Sequence, residues 1–148
     1  MPSLMRRINV ISRCATSYKS ERLSGELSGE LSGCHHPFVT YLSRNPGTSQ
    51  DAIARHLCLN KSTVARTLSY LEEHSYVRRE VDSEDKRITR VYPTEKMLGA
   101  LPEVKALAKE WNALISEGLS EEEISVFSSI LEKVEARAIA VCFGGEKE

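Results

Sequence analysis

Residues 48–93 constrain this chain more than any other stretch, because they read as two short helices, a tight break and a basic hairpin. Thr48-Ser49-Gln50-Asp51 opens the first helix with a capping residue and an acid three positions later. Ile53, Ala54 and Leu57 follow at helical spacing, and Cys58-Leu59-Asn60 interrupts the run. Asn60 suits the N-cap of a second helix, expected over residues 61–74. That helix turns Val64, Leu68 and Leu71 to one face and Lys61, Ser62, Thr63, Arg66 and Thr67 outward near its start. Residues 76–81 and 88–92 are β-prone and are joined by a charged turn over 82–87. A helix pair with small polar and basic side chains at the second N-terminus is the layout of a helix-turn-helix, whose second helix enters the DNA major groove. The hairpin makes the expected lobe a winged helix.

A net charge of −1 looks wrong for such a lobe until it is resolved along the chain. Residues 55–90 hold eight basic and six acidic side chains, whereas residues 117–135 hold six glutamates against Lys133 alone. Local distribution sets the electrostatic footprint, so the positive charge sits on the reading head. The 148 residues, 41% hydrophobic and 28% charged, are ordinary for a globular protein of one domain. There is no apolar run of about 18 residues to span a membrane. Arg6 and Arg7 precede no apolar segment, so no secretory signal is expected. Cys14, Cys34, Cys58 and Cys142 lack metal-motif or disulfide-scaffold spacing, which reads as a cytoplasmic protein with reduced thiols. A nucleophile elbow, phosphate loop, metal motif and coherent acid/base pair are all missing, so neither an enzyme nor a cofactor is expected.

The flanks are helical. Leu4, Ile8, Ile11, Ala15 and Tyr18 form a narrow apolar seam. Leu23-Ser24-Gly25-Glu26 then repeats at 27–30 and begins again at 31–33. Glycine every fourth residue weakens a helix by up to about 1 kcal/mol each, so a mobile connector with a frayed turn is expected. A helix with Phe38, Tyr41 and Leu42 apolar follows over 36–44 and stops at Asn45-Pro46-Gly47. Thr94-Glu95 starts a long helix with a seam at Leu98, Leu101, Val104, Leu107, Ala108, Trp111 and Leu114, and Pro102 predicts a kink or break near Leu98. Ser120 caps a last helix whose first turn is acidic and whose seam runs Ile124, Phe127, Leu131, Val134, Ala138, Val141. Such heptad-like seams predict packing against each other or a partner chain, and a homodimer is expected. The expected fold is mainly α with a small β wing: a winged helix-turn-helix over 48–93, flanked by dimerisation and effector helices over 1–44 and 95–148 of a single domain.

Four pieces, taken with this order of elements, carry a family resemblance. They are Asn45-Pro46-Gly47-Thr48-Ser49-Gln50, Leu59-Asn60-Lys61-Ser62-Thr63-Val64-Ala65-Arg66, Asp85-Lys86-Arg87 and Tyr92-Pro93-Thr94-Glu95-Lys96. The chain resembles the MarR (multiple-antibiotic-resistance regulator) family of bacterial transcription factors, which has Asp-Arg-Arg in the wing where this chain has Asp85-Lys86-Arg87. The Leu-Ser-Gly-Glu repeat makes its connector a few residues longer than is usual there. The resemblance implies an obligate homodimer on pseudo-palindromic double-stranded DNA, repressing genes until a small ligand releases it. It also implies two variants of that theme, a peroxide sensor using a cysteine of the first helix and a zinc sensor.

The residues can be assigned roles on this basis. Arg87 at the wing tip is expected to enter a minor groove, with Asp85 accepting from its guanidinium. Lys86 and Arg90 are expected to meet phosphates. Arg66 has the reach for a guanine edge, while Asn60, Lys61, Ser62 and Thr63 touch phosphates or bases. Gln50 is placed to bind a phosphate beside free backbone N–H groups. Cys14 and Tyr18 share one face of the first helix, and burial is the expected state of that thiol. Cys34-His35-His36, near Glu26 and Glu30, suggests zinc, but the long helix offers no histidine to complete a site and no metal is expected. His35, His36, Phe38, Tyr41 and Trp111 are expected to line an effector cleft with Cys14 and Tyr18. Use of the winged helix for protein contact instead of DNA remains an alternative.

Overall fold

A computed structural model of the chain describes residues 3–144. In order, the elements are α1 (Leu4–Glu21), α2 (Leu27–Glu30), a 3-10 turn (Gly33–His35), α3 (His36–Arg44), β1 (Thr48–Ser49), α4 (Gln50–Leu57), α5 (Lys61–Glu73), β2 (Val77–Val81), β3 (Thr89–Pro93), α6 (Glu95–Ile115) and α7 (Glu121–Phe143). The fold is mainly α with one antiparallel sheet, ordered β1-β3-β2. The backbone divides after Trp111 into two compact units.

In the first unit, α3, α4, α5 and α6 each turn an apolar stripe inward. Val39, Leu42, Ile53, Val64, Leu68, Leu71, Tyr76, Val91 and Met97 have no exposed surface. Each large apolar side chain so buried stabilises by about 1.5–3 kcal/mol relative to exposure, which fixes the helix pair in place. Cys58, at φ 53°, ends α4 in the left-handed conformation and turns the chain into α5.

The first helix of the pair starts one residue later than Thr48 suggested. Ser49 is the cap, its Oγ accepting from the Ala52 N–H at 3.1 Å, while Thr48 pairs with Val91 in β1. Gly47 (φ +80°) makes the preceding turn, and a Cβ there would lie 3.2 Å from the Tyr92 ring. Two residues are too few to show strand alternation, so β1 was not legible in the sequence.

The Leu-Ser-Gly-Glu repeat is a tied strap, which corrects the expected mobile connector. Its leucines, four apart, are what the glycine argument overlooked. Leu23 and Leu31 are buried and Leu27 packs on the core. Glu30 accepts from the Tyr76 hydroxyl at 2.6 Å and pairs with Lys96 at 2.7 Å, and its carbonyl accepts from the Tyr70 hydroxyl at 2.6 Å. Gly33 lies against α1 so closely that a Cβ would come 2.5 Å from the Thr16 carbonyl oxygen.

α6 runs through Pro102 as one helix, so of the kink or break expected near Leu98 the break does not occur. The proline removes the N–H that would reach the Leu98 carbonyl, and Leu98 lies on the exposed side, where water can take its place. The buried stripe is Met97, Ala100, Val104 and Leu107, so the seam begins at Met97 and not at Leu98.

In the second unit, Ser120 and Glu123 form a reciprocal capping box at the start of α7, with N···O distances of 3.1 and 2.8 Å. No residue of α7 is buried: Ile124, Phe127, Ile130, Leu131, Val134 and Val141 are all more than a third exposed. α1 of the first unit likewise buries none of its residues.

Candidate nucleic-acid interface

Hydrogen bonds at the start of α5 sort its exposed residues by what they have left to offer. The Asn60 Oδ1 caps the helix, accepting from the Thr63 N–H at 2.7 Å and from the Ser62 hydroxyl at 2.8 Å. Lys61 is exposed and stands 3.5 Å from Asp51 of α4. Arg66 is exposed one turn along. The cap is consumed in holding the helix, so Arg66 is the group free to reach outward, with Lys61 beside it in a loose exposed pair with Asp51.

The wing tip is built around one carboxylate. Asp85 accepts from Arg87 Nε at 3.0 Å and from Nη2 at 2.9 Å, the two-pronged pairing expected from the sequence. It also accepts the Arg87 backbone N–H at 3.0 Å, and Asp82 accepts that of Asp85 at the same distance. The Arg87 guanidinium, then its backbone N–H, hold the Asp85 carboxyl below the usual range. The Arg87 side chain is nevertheless 90% exposed, a fixed cation presented to solvent. Lys86 is exposed beside it. Arg90 differs from the expected free phosphate contact: Nε meets Asp82 and Nη1 the Gly47 carbonyl, both at 3.3 Å, so it braces the wing against the turn before β1.

Gln50, the first residue of α4, is engaged by an arginine that sequence reasoning passed over. Arg79 of β2 donates through Nη1 to the Gln50 Oε1 at 3.3 Å, and through Nη2 to Ser69 Oγ and Glu72 Oε1 of α5, each at 3.1 Å. Its backbone N–H reaches Glu72 Oε2 at 3.0 Å. Strand alternation places Arg79 on the same face as the buried Val77, the signal that would have found it.

The expected effector residues scatter. Of the seven, His36 and Tyr41 line a cleft of ≈ 630 Å³, along with Lys19, Arg44 and His56. Tyr41 stacks on His56 with ring centroids 4.1 Å apart. Phe38 is instead in the core, where its place in the inward stripe of α3 puts it. Tyr18 packs on Trp111 at 5.2 Å and donates to Glu110. His35 stacks on Tyr70 at 5.0 Å and accepts from the Ser32 N–H at 3.0 Å, away from the cleft. Cys14 is exposed, not buried as expected, since no residue of α1 is buried in this chain. Cys34, His35 and His36 part company too. The Cys34 thiol lies 2.9 Å from Ser32 Oγ and is brought down to about 7 by hydrogen bonding to His35 and Ser32. Among the described residues, no three metal-ligating side chains converge.

His36 is buried with neither ring nitrogen hydrogen-bonded. Burial first, then the neighbouring Lys19 and His35, depress its pKa to about 4. The folded state therefore favours the neutral ring, and the unfolded chain binds more protons below pH 6.5. This contribution to stability is complete above pH 6.5 and is lost as pH falls towards 4, by at most ~3 kcal/mol. Urea denaturation of the wild type should weaken across that window, and the loss should be missing in His36→Gln. The carboxylates that the fold holds low (Glu30, Glu72, Asp82, Asp85) release their stability only below about pH 5, so the loss between pH 6.5 and 5 belongs to His36.

Known proteins resemble this arrangement. Residues 38–89 match the model of the MarR family. The HTH-type transcriptional regulator YybA of Bacillus subtilis (strain 168) is 23% identical over 134 residues, covering 90% of this chain and 87% of that protein. The solved transcriptional regulator SlyA is 28% identical, with a TM-score of 0.83 over 92% of this chain and 94% of its own. A MarR-family regulator from Listeria monocytogenes, solved with a 26mer DNA, shares the fold at 22% identity, with a TM-score of 0.82 over 100% of this chain and 99% of its own. Among the described residues, no helix is long and apolar enough to cross a membrane.

Proposed function

We infer that this chain is a winged-helix transcriptional regulator of the MarR family and works as a cytoplasmic homodimeric repressor that a small effector lifts from a pseudo-palindromic operator. The observation that carries this reading is Arg87, clamped by Asp85 yet almost wholly exposed at the wing tip. An arginine held out in that way loses little freedom on entering a narrow minor groove, whose negative potential attracts it. Arg66 is the side chain for a base edge in the major groove, while Lys61, Lys86 and the Gln50 amide serve phosphates. Asn60, Ser62 and Thr63 support the helix start from which those groups project, and Asp85 and Arg90 hold the wing in shape. The exposed apolar residues of α1 and α7 supply the dimer contact.

The cleft beside α3 suits the effector. Lys19, Arg44, His36 and His56 contribute to its lining, which includes no carboxylate, and Tyr41 adds an aromatic face. That chemistry favours a small organic anion with a ring. To release DNA, the anion must bind better to one spacing of the two reading heads than to the other, since equal affinity shifts nothing.

The test is a gel-shift titration on the DNA upstream of the protein's own gene, with and without an aromatic carboxylate. Binding should weaken as salt rises, and the carboxylate should raise Kd by about 5–150-fold, the usual span of such coupling. Arg44→Ala should bind DNA normally and lose the response. Absence of salt-sensitive DNA binding would overturn the regulator reading. Release by peroxide that Cys14→Ser abolishes, or release by zinc, would replace the carboxylate with thiol or metal sensing.

A further inference from the structure

Arg79 has a geometry that the contacts so far assigned to DNA do not use. Its side chain is 23% exposed and its guanidinium joins three elements: β2, which carries it, α5 through Ser69 and Glu72, and α4 through Gln50. Glu72 holds both ends of this arginine, taking the backbone N–H on one oxygen and Nη2 on the other. The Glu72 carboxyl is kept below its usual range by that pairing, so the anchor is charged at neutral pH. Ser69 is itself fixed, donating to the Ala65 carbonyl at 3.0 Å.

The consequence falls on Gln50. An arginine only donates, so the amide atom facing it must be the oxygen. The Gln50 nitrogen is thereby turned the other way, with two N–H donors and no hydrogen-bond partner among the described residues. It sits at the first position of α4, where the helix dipole favours an anion, and the nearby Asp51 is answered by Lys61. Without Arg79 the carboxamide is free to flip, and half of its orientations present an oxygen to an incoming phosphate.

We propose that Arg79 is a positioning residue for DNA binding: it fixes the Gln50 carboxamide nitrogen-outward, as a phosphate donor at the start of α4. This rests on the DNA-binding reading above and adds a residue that touches no DNA. The arginine contributes by orienting a neutral donor, and its own charge is neutralised inside the protein by Glu72.

The test is a double-mutant cycle of Gln50→Ala and Arg79→Met, read as Kd for a duplex that the wild-type protein selects from a random-sequence pool, at four salt concentrations. Gln50→Ala should weaken binding about thirtyfold in the wild-type background, one hydrogen bond being lost from each of two protomers, and only about sevenfold beside Arg79→Met, where the freely flipping amide has already cost about a factor of two per protomer. Arg79→Met should leave the slope of log K against log salt unchanged, whereas removing an arginine that neutralises a phosphate would lower it by about 0.9 for each such phosphate. Arg79→Lys should behave like Arg79→Met, because an ammonium cannot hold three acceptors in the plane of a fork. If the methionine variant does not fold, the lysine variant carries the same cycle with the same expectations. Additive losses at the two positions, or a reduced salt slope, would overturn the proposal while leaving the regulator reading intact. A wild-type protein that selects no duplex would overturn both.

Discussion

Glutamate at both Phe127 and Leu131 is expected to leave a folded monomer that no longer holds DNA. The two side chains lie four residues apart on α7, 51% and 39% exposed, within an apolar row that continues through Ile124 and Val134. Contiguous apolar surface of this kind is rarely left to solvent, and a second copy of the chain is the occupant we propose. Two-fold packing would bring four new carboxylates into a dry seam, at several kcal/mol for each buried charge. Light scattering after size exclusion should show the particle falling from twice 16.6 kDa to 16.6 kDa. Losing the second reading head removes a linked binding site, and such linkage is worth about 10²–10⁴ in affinity. Unchanged helix content by circular dichroism would show that α7 itself survives. A variant that stays dimeric would place the subunit contact elsewhere.

Arg87→Ala should weaken DNA binding by about 30-fold to 20,000-fold for the dimer, since each good arginine–groove contact is worth about 1–3 kcal/mol and two wings are affected. The salt slope should fall by about two, one released counterion for each wing. Arg87→Lys separates charge from shape: it should keep the wild-type slope and still lose affinity, because lysine cannot form the two-pronged pair with Asp85. Fluorescence anisotropy on a labelled duplex reads both quantities. Full affinity in Arg87→Ala would remove the wing from the interface and favour its use as a protein-docking edge.

The reading head was legible because its signals are local and repeated. Asn60 as the cap of α5, the buried stripe of Val64, Leu68 and Leu71, and the Asp85–Arg87 fork all stand where helical period and turn chemistry placed them. What escaped depends on partners distant in sequence. β1 exists because Val91 is there to pair with Thr48, and Thr48 shows no sign of this on its own. The strap was misread because glycine content argues against a helix, whereas Leu23 and Leu31 are held by the core and Glu30 by Tyr76 and Lys96. Arg79 reads in the sequence as one more surface cation, and only the fold brings Gln50, Ser69 and Glu72 around it. The effector residues were the least legible. Phe38 went to the core and His35 to Tyr70, while Lys19, Arg44 and His56, on three different helices, came to line the cleft.

Hydroxyl-radical footprinting of the wild-type protein on its selected duplex addresses the two-fold reading head most directly. Two protected patches should appear, related by a two-fold axis and centred one helical turn apart, ~34–36 Å. Each should be flanked by minor-groove protection that disappears in Arg87→Ala. A duplex left unprotected at about 0.15 M salt, or one unpaired patch indifferent to Arg87, would contradict a dimeric winged-helix reader.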